Sequence, residues 1–299
     1  MNLKDIKKAL TDPTALLREV NKLYFTRARQ RSYYPRGTDI FTHEDWDNLI
    51  ILDACRYDVF KKKISMSGTL EKRRSRGGMS PEFVRGNFSN KKLYDTVYVS
   101  ANEWFAKLRD KINSEVHQFV NIQAEHLDLA EMSVRPETVT QQALRVAGNF
   151  PNKRLIVHYM QPHQPYIGPT GEEHFAISPG LIETLRKSEN VSDELLWQAY
   201  CENLEIVLEQ VKRLVDSLEG KTVITSDHGE LLGERVFPIP LKTYGHFDGI
   251  YVDELIDVPW FICDFTERKT IKYEEPNTKE RKETEDAVDD RLRQLGYKI

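Results

Sequence analysis

Short apolar runs recur along the chain, and the segments between them carry helical patterns. The first run, 48–53 (NLIILD), is almost continuously apolar and ends in an acid. Runs of this kind are typical of strands that are buried on both faces of a parallel sheet. Four further runs follow, at 96–100, 154–158, 222–225 and 258–262.

Two of the intervening segments predict helices. Leucines and valines lie three and four positions apart along 193–218, and 136–146 begins with Pro136, a residue suited to a first helical turn. Strands that alternate with helices predict an α/β fold with a mostly parallel central sheet sandwiched by helices. In this architecture, ligands gather where the strands end.

Charged segments flank this alternating core. Residues 1–31 are basic and amphipathic, and we expect a helix that packs on its own domain or lies on an anionic membrane surface. Residues 266–299 form a highly charged extension, within which 283–295 predicts a final helix. No linker-like composition divides the chain, so we predict one domain over 1–299 with its core at about 40–265.

Composition narrows the class of protein. The net charge of -4, with both signs mixed along the chain, argues against a nucleic-acid partner. Cys55, Cys201 and Cys263 are far apart and form no CxxC pair, which argues against a disulfide framework and a cysteine zinc site. Residues 1–10 contain charges where a signal peptide would need an apolar stretch, and no apolar run approaches the ~20 residues of a membrane span. We therefore expect a cytoplasmic protein.

Polar groups suited to metal binding follow the predicted strands. Asp227 and His228 follow the fourth run and offer a carboxylate oxygen and an imidazole nitrogen, a mixed set that zinc and manganese accept. Gly229 would allow a sharp turn beneath the metal. Asp53 ends the first run and could reach the same metal, or instead cap the helix that follows. His158 closes the third run, and we interpret it as a structural residue.

Four motifs occur in order along 48–262 and carry a resemblance to a known family. They are 48–58 (NLIILDACRYD), 157–166 (VHYMQPHQPY), 225–234 (TSDHGELLGE) and 244–260 (YGHFDGIYVDELIDVPW). The first and third resemble the metal-binding motifs of the alkaline phosphatase and sulfatase superfamily. The second is similar to a segment of sulfatases and lipid-phosphate transferases, and the fourth to the closing histidine segment. The chain most resembles small sulfatase-like proteins of prokaryotes, many of them archaeal.

The resemblance implies an alkaline phosphatase-like fold and roles for particular residues. Asp53, Asp227 and His228 would hold one divalent metal, which could be zinc, manganese, magnesium or calcium, and a nucleophilic hydroxyl would join them. Ser80, followed by Pro81 and Glu82 as at a helix start, is the expected nucleophile and fourth metal ligand, with Ser75 as the alternative. Cys55 falls on an apolar position of the family motif, so we expect it to be a buried small residue.

Two departures from the family pattern shape the functional hypothesis. The chain lacks the CxPSR-like motif of formylglycine sulfatases, which disfavours sulfate esters. Gln161 stands where an acid is frequent, which leaves a second metal open. His163 and His246 would hold that second metal, contact the substrate oxyanion or protonate the leaving group.

The leading hypothesis is therefore a metal-dependent hydrolase or transferase that acts on phosphate esters through a metal-activated Ser80. Its substrate would be a small molecule, a glycan or a lipid head group carrying a phosphodiester or phosphate. Two alternatives are a sulfatase and a metal-binding pseudo-enzyme that recognises an anionic glycan. The sequence leaves the oligomeric state open.

Overall fold

The structure is a computed structural model that describes residues 13–276 apart from positions 43, 129 and 179. The predicted helix at 283–295 and the first twelve residues of the N-terminal segment lie outside the described residues. The helices are α1 (Pro13–Thr26), α2 (Tyr57–Lys63), α3 (Ser80–Phe88), α4 (Trp104–Leu108), α5 (Ile122–His126), α6 (Pro136–Asn149), α7 (Pro169–His174), α8 (Leu181–Lys187), α9 (Asp193–Val215) and α10 (Asp253–Ile256). The strands are β1 (Asn48–Leu52), β2 (Gly68–Arg74), β3 (Lys92–Ser100), β4 (Glu115–Asn121), β5 (Arg154–Tyr159), β6 (Thr222–Ser226), β7 (Leu231–Val236), β8 (Leu241–Gly245) and β9 (Asp257–Cys263).

Seven strands form the central sheet in the order β2-β9-β6-β1-β5-β3-β4. Strand β1 lies between β5 and β6 and is parallel to both, and β3 pairs in parallel with β5 and β4. Strand β9 is antiparallel to its neighbours β6 and β2. The predicted mostly parallel sheet is therefore confirmed, and the run at 258–262 forms its antiparallel member.

The alternating side chains of β1 face two different hydrophobic cores. Ile50 and Leu52 belong to a core that includes side chains of α6 and α9. Leu49 and Ile51 belong to a second core, which includes side chains of α3 and α4. A strand between two helical layers needs apolar residues at every position, because successive side chains point to opposite faces. This is why 48–53 has no polar alternation.

A two-stranded hairpin, β7–β8, lies outside the central sheet and carries a third apolar cluster. Helix α1 packs on this region. Its Phe25 contacts the cluster, and the Asn21 side chain donates hydrogen bonds to the carbonyls of Val236 and Ile239. Within the part of the chain that is described, no helix has both the length and the apolar character to cross a membrane.

Candidate active site

Three of the predicted site residues meet at the carboxyl edge of the parallel strands. Asp53 follows β1, and Asp227 and His228 follow the adjacent strand β6. The His228 Nε2 atom lies 3.5 Å from Asp53 Oδ1 and 3.5 Å from Asp227 Oδ2. All three side chains are buried. Because parallel neighbours end at the same edge, residues separated by more than 170 positions share one small volume.

Backbone contacts orient Asp227 so that one of its oxygens is left without a partner. Oδ1 accepts hydrogen bonds from the Ala54 amide at 3.1 Å and the His228 amide at 2.8 Å. Ala54 has a φ of 59°, a left-handed conformation that is uncommon for alanine and typical of constrained functional turns. Gly229 is required for a different reason than the predicted sharp turn, because an added Cβ would lie 2.0 Å from the Glu254 carbonyl oxygen.

The His228 ring is held in one tautomer. Its Nδ1 lies 2.7 Å from the carbonyl oxygen of Gly229. A carbonyl can only accept a hydrogen bond, so Nδ1 carries the proton and Nε2 presents its lone pair to the two carboxylates. A neutral imidazole with a fixed Nε2 lone pair is the form in which histidine binds metals.

His158, interpreted from the sequence as structural, also faces this cluster. Its Nε2 lies 3.7 Å from Asp227 Oδ2, and its Nδ1 lies 2.9 Å from the Tyr98 hydroxyl. Asp53 Oδ1, Asp227 Oδ2 and His158 Nε2 are buried atoms with no hydrogen-bond partner. Asp53, His158 and Asp227 each offer a ligand atom within 4.8 Å of the others. Buried polar atoms without partners are costly, so this convergence fits a divalent cation.

The electrostatics of the cluster point the same way. Burial and the neighbouring charge of Asp227 raise the pKa of Asp53. For Asp227, burial is outweighed by His228 and His158, which lower its pKa. Burial lowers the pKa of His228 and of His158 to about 4, so both rings are neutral at neutral pH. A cation placed here would compensate the two adjacent carboxylates.

Ser80 lies at the edge of the same cluster as the first residue of α3. Its Oγ is 3.3 Å from His228 Nε2 and 3.1 Å from Asn102 Nδ2. Asn102 Nδ2 also donates to Asp53 Oδ2 at 2.7 Å, so one amide connects Ser80 to Asp53. Ser75 lies differently, because its hydroxyl donates to the backbone carbonyl of Asp227. Of the two serines, only Ser80 directs its hydroxyl to the cluster. Asn102 was not predicted from the sequence.

A second group of potential ligands adjoins the first. His163, Glu230 and His246 each offer a ligand atom within 4.8 Å of the others. His246 Nδ1 lies 3.0 Å from Glu230 Oε1, and the rings of His246 and His228 are 4.4 Å apart between centroids. Glu230 follows the DHG tripeptide but was assigned no role from the sequence.

The pKa values of the two histidines in this second group are shifted in opposite directions. Burial opposes protonation of His246, but the Glu230 carboxylate outweighs it and raises the His246 pKa. Burial and the nearby His246 lower the pKa of His163. His163 Nδ1 lies 2.5 Å from the Gln164 carbonyl oxygen and therefore carries the proton, which leaves Nε2 as a lone pair. The pKa of His246 is thus shifted toward the protonated form and that of His163 toward the neutral form.

A pocket of about 560 Å³ opens beside His163 and His246. Apolar side chains of Leu181, Ile182 and Phe247 line part of it, and its other lining residues are Gly180, Glu183, Arg186, Lys187, Tyr244 and Gly245. A pocket with apolar and charged walls suits an organic group that has both apolar and polar or charged parts. The pocket therefore has room for the part of a substrate attached to the reacting ester.

Cys55 takes no part in the site. It is fully buried in the core with α6 and α9, and burial raises the pKa of its thiol. A buried neutral thiol is a poor nucleophile. The expectation of a buried small residue is confirmed.

Comparison with known proteins gives structural neighbours only, since no protein-family model and no curated protein matches the chain. The integral membrane lipooligosaccharide phosphoethanolamine transferase A (EptA) from Neisseria meningitidis matches with a TM-score of 0.48 and 12% identity. That match covers 83% of this chain and 55% of EptA, so the chain spans little more than half of that protein.

Two further matches are soluble-domain or sulfatase structures. The C-terminal periplasmic domain of EptC from Escherichia coli, in complex with Zn, matches with a TM-score of 0.46 and 16% identity, over 79% of this chain and 77% of that domain. The 2-O GAG sulfatase BT1596 matches with a TM-score of 0.45 and 13% identity, over 77% of this chain and 65% of the sulfatase. These neighbours are members of the alkaline phosphatase and sulfatase superfamily, which the sequence motifs resemble.

Proposed function

We propose that the protein is a metal-dependent hydrolase or transferase of phosphate esters in which Ser80 is the nucleophile. The observation that carries this proposal is the position of the Ser80 hydroxyl. It lies within hydrogen-bond reach of His228 Nε2 and Asn102, beside buried carboxylate oxygens of Asp53 and Asp227 that have no partner. A serine in such a cluster is placed for activation.

The donor set supports one divalent cation at this position. Asp53, Asp227, His228 and Ser80 would hold it, and His158 adds a nitrogen donor that faces Asp227. When bound, the cation supplies positive charge that lowers the pKa of the serine hydroxyl and offsets charge on a phosphoryl group. Mixed carboxylate and imidazole ligands favour zinc or manganese over calcium.

Ser80 then attacks phosphorus in line. Ser80 Oγ releases its proton to water as it forms a bond to phosphorus. The bond from phosphorus to the leaving oxygen breaks, and that oxygen takes up a proton. The Asn102 amide donates to Ser80 Oγ and stabilises its negative charge while also holding Asp53 in place. In the second step, the oxygen of water or of an acceptor hydroxyl loses its proton and bonds to phosphorus. The bond from phosphorus to Ser80 Oγ breaks, and Ser80 Oγ regains a proton.

His246 is placed to supply the proton for the leaving oxygen. Its Nδ1 is engaged with Glu230, so a proton on Nε2 remains for the substrate. His163 lines the same pocket and presents its Nε2 lone pair. Alternatively, His163, Glu230 and His246 hold a second cation. In that case the protein would bind two metal ions per chain, and His246 would be a metal ligand and not the proton donor.

The test combines metal content with ester turnover in three proteins: wild type, Ser80→Ala and Ser75→Ala. After loading with zinc or manganese, wild type should bind metal and hydrolyse an aryl phosphate diester or monoester. Ser80→Ala should keep its metal and lose turnover by at least about a thousandfold. Ser75→Ala, whose hydroxyl contacts only backbone, should keep measurable turnover and form phosphoserine.

Each contrary result has a defined meaning. Turnover at the wild-type level in Ser80→Ala would exclude Ser80 as the nucleophile. Faster cleavage of the matched aryl sulfate would establish the sulfatase alternative. Stoichiometric metal without cleavage of either ester would favour the pseudo-enzyme that binds an anionic glycan.

A further inference from the structure

Helix α1 carries an exposed apolar stripe. Leu16, Val20, Leu23 and Tyr24 are 48%, 41%, 54% and 63% exposed, and their spacing places them on one face of the helix. They are four of the nine exposed large apolar side chains among the described residues, and the other five are spread over distant parts of the chain. Scattered exposed apolar residues are ordinary, whereas a continuous stripe marks an interaction surface.

The opposite face of α1 is firmly anchored, which fixes the outward direction of the stripe. Asn21 donates to the carbonyls of Val236 and Ile239 and accepts from the Ile239 amide. Phe25 packs into the apolar cluster beneath the β7–β8 hairpin. Between Val236 and Ile239 lies Phe237, which is itself 60% exposed and adds apolar surface to the hairpin that α1 packs on.

The segment that carries the stripe is basic although the whole chain is acidic. Residues 13–36 contain six arginine or lysine residues and a single acid, while the chain as a whole has a net charge of -4. Arg27, Arg29 and Arg36 are exposed. An apolar helical face with cationic flanks complements a lipid surface that carries negative head groups. The apolar stripe alone would also suit a protein partner, but the excess of positive charge in 13–36 favours an anionic lipid surface.

Helix α1, which carries the stripe, also contacts the wall of the candidate pocket. The Arg18 guanidinium is 4.1 Å from the ring centroid of Phe247, and Lys22 Nζ is 2.5 Å from Asp248 Oδ2. Phe247 lines the pocket, directly after His246. Helix α1 and the pocket wall therefore share the loop 246–248, so a surface that binds α1 would lie near the pocket.

We infer that α1 docks on an anionic lipid bilayer with its apolar stripe inserted between head groups, and that the substrate is a phosphate ester displayed at that surface. The choice of substrate rests on the proposed function, whereas docking does not. Docking of α1 supplies affinity for the surface, and the shared loop 246–248 presents the pocket to the head groups.

Vesicle sedimentation of the chain 1–299 tests the docking. Wild type should sediment with phosphatidylglycerol–phosphatidylcholine vesicles and remain in the supernatant with phosphatidylcholine alone. Leu16→Gln combined with Leu23→Gln should weaken binding by at least about tenfold, because the inserted apolar area is lost. Replacing Arg27 by Gln should weaken it about fivefold, the effect expected for one cation near the surface. Phe265→Gln, at an exposed apolar residue outside α1, is the matched control and should bind as wild type does.

The outcomes separate docking from catalysis. Thermal unfolding of each variant confirms that the fold is retained, and metal content and cleavage of a soluble aryl phosphate are measured on the same preparations. The proposal is overturned if wild type does not bind the anionic vesicles or if the double leucine variant binds as wild type does. It is also overturned if the stripe instead mediates a dimer, seen as a mass that halves in the double variant without vesicle binding. Vesicle binding without turnover would leave docking intact and refute the proposed function.

Discussion

Replacing Asp53 by asparagine should stabilise the metal-free protein while abolishing its response to metal. Asp53 and Asp227 are buried carboxylates with oxygens within 4.8 Å of each other, and the pKa of Asp53 is raised by burial and by this neighbour. Asparagine keeps the shape of the side chain, and its carbonyl oxygen can still accept the hydrogen bond from Asn102. Its amide can donate to Asp227 Oδ2, which lacks a partner.

The magnitude follows from the charge that is removed. Two unit charges about 4.8 Å apart repel by about 3 kcal/mol at an effective dielectric constant of ~20. Partial protonation of Asp53 reduces this repulsion, so the expected gain in the free energy of unfolding is about 1–3 kcal/mol. For a chain of this size the gain corresponds to a rise in Tm of roughly 2–10 °C. Zinc at a thousand times its Kd should add about 4 kcal/mol to wild type and nothing to the variant.

Thermal unfolding with chelator and with zinc measures both effects. The raised pKa of Asp53 means that the folded protein binds a proton at this residue more readily than the unfolded chain does. Protonated Asp53 does not repel Asp227, so the stability of wild type falls as pH rises above 3.8, the pKa of Asp53 in the unfolded chain. The advantage of Asp53→Asn over wild type should therefore shrink as pH falls toward 4. A thermal shift with zinc equal to that of wild type would refute the assignment of Asp53 as a ligand.

Asp39→Asn is the matched control because its carboxylate is buried but paired. Asp39 lies 2.8 Å from both Arg76 Nη1 and Lys91 Nζ. Burial is outweighed by the hydrogen bond from Lys91, and the pKa of Asp39 falls to about 2. The same chemical change should therefore destabilise this site by about 1–4 kcal/mol. If both variants lose stability in the metal-free state, the reasoning about unpaired charge at Asp53 is wrong.

Two further predictions concern the groups around the cluster. His158→Gln should lower zinc affinity by about 10–100-fold in calorimetric titration, whether the ring binds metal directly or orients Asp227, and wild-type affinity would exclude both roles. Glu230→Gln should lower the pKa of His246, because burial is no longer opposed by the carboxylate. Since leaving-group protonation needs the charged ring, the alkaline limb of kcat/KM against pH should move to lower pH, and an unmoved limb would remove His246 as the acid.

The fold was predictable where strands are buried on both faces. Strands β1, β3, β5 and β6 contain near-continuous apolar runs because helices cover both sides of the sheet. The edge strands β2 and β4 were missed since their sequences, GTLEKRR and EVHQFVN, are largely polar and only partly buried. Strands β7 and β8 were missed because they form a small separate hairpin that shares none of this burial pattern.

By itself, the sequence determined which candidate ligands follow strand ends, namely Asp53, Asp227 and His228, because they stand at or just after the end of an apolar run. Only the tertiary structure decided which distant side chains join them. Asn102 connects Ser80 to Asp53 across separations of 22 and 49 positions, His158 faces Asp227 from the other side of β1, and Glu230 pairs with His246. The reason is geometric, because strand order in the sheet and the path of each loop determine which side chains meet. Spacing along the chain gives neither the strand order nor the loop paths.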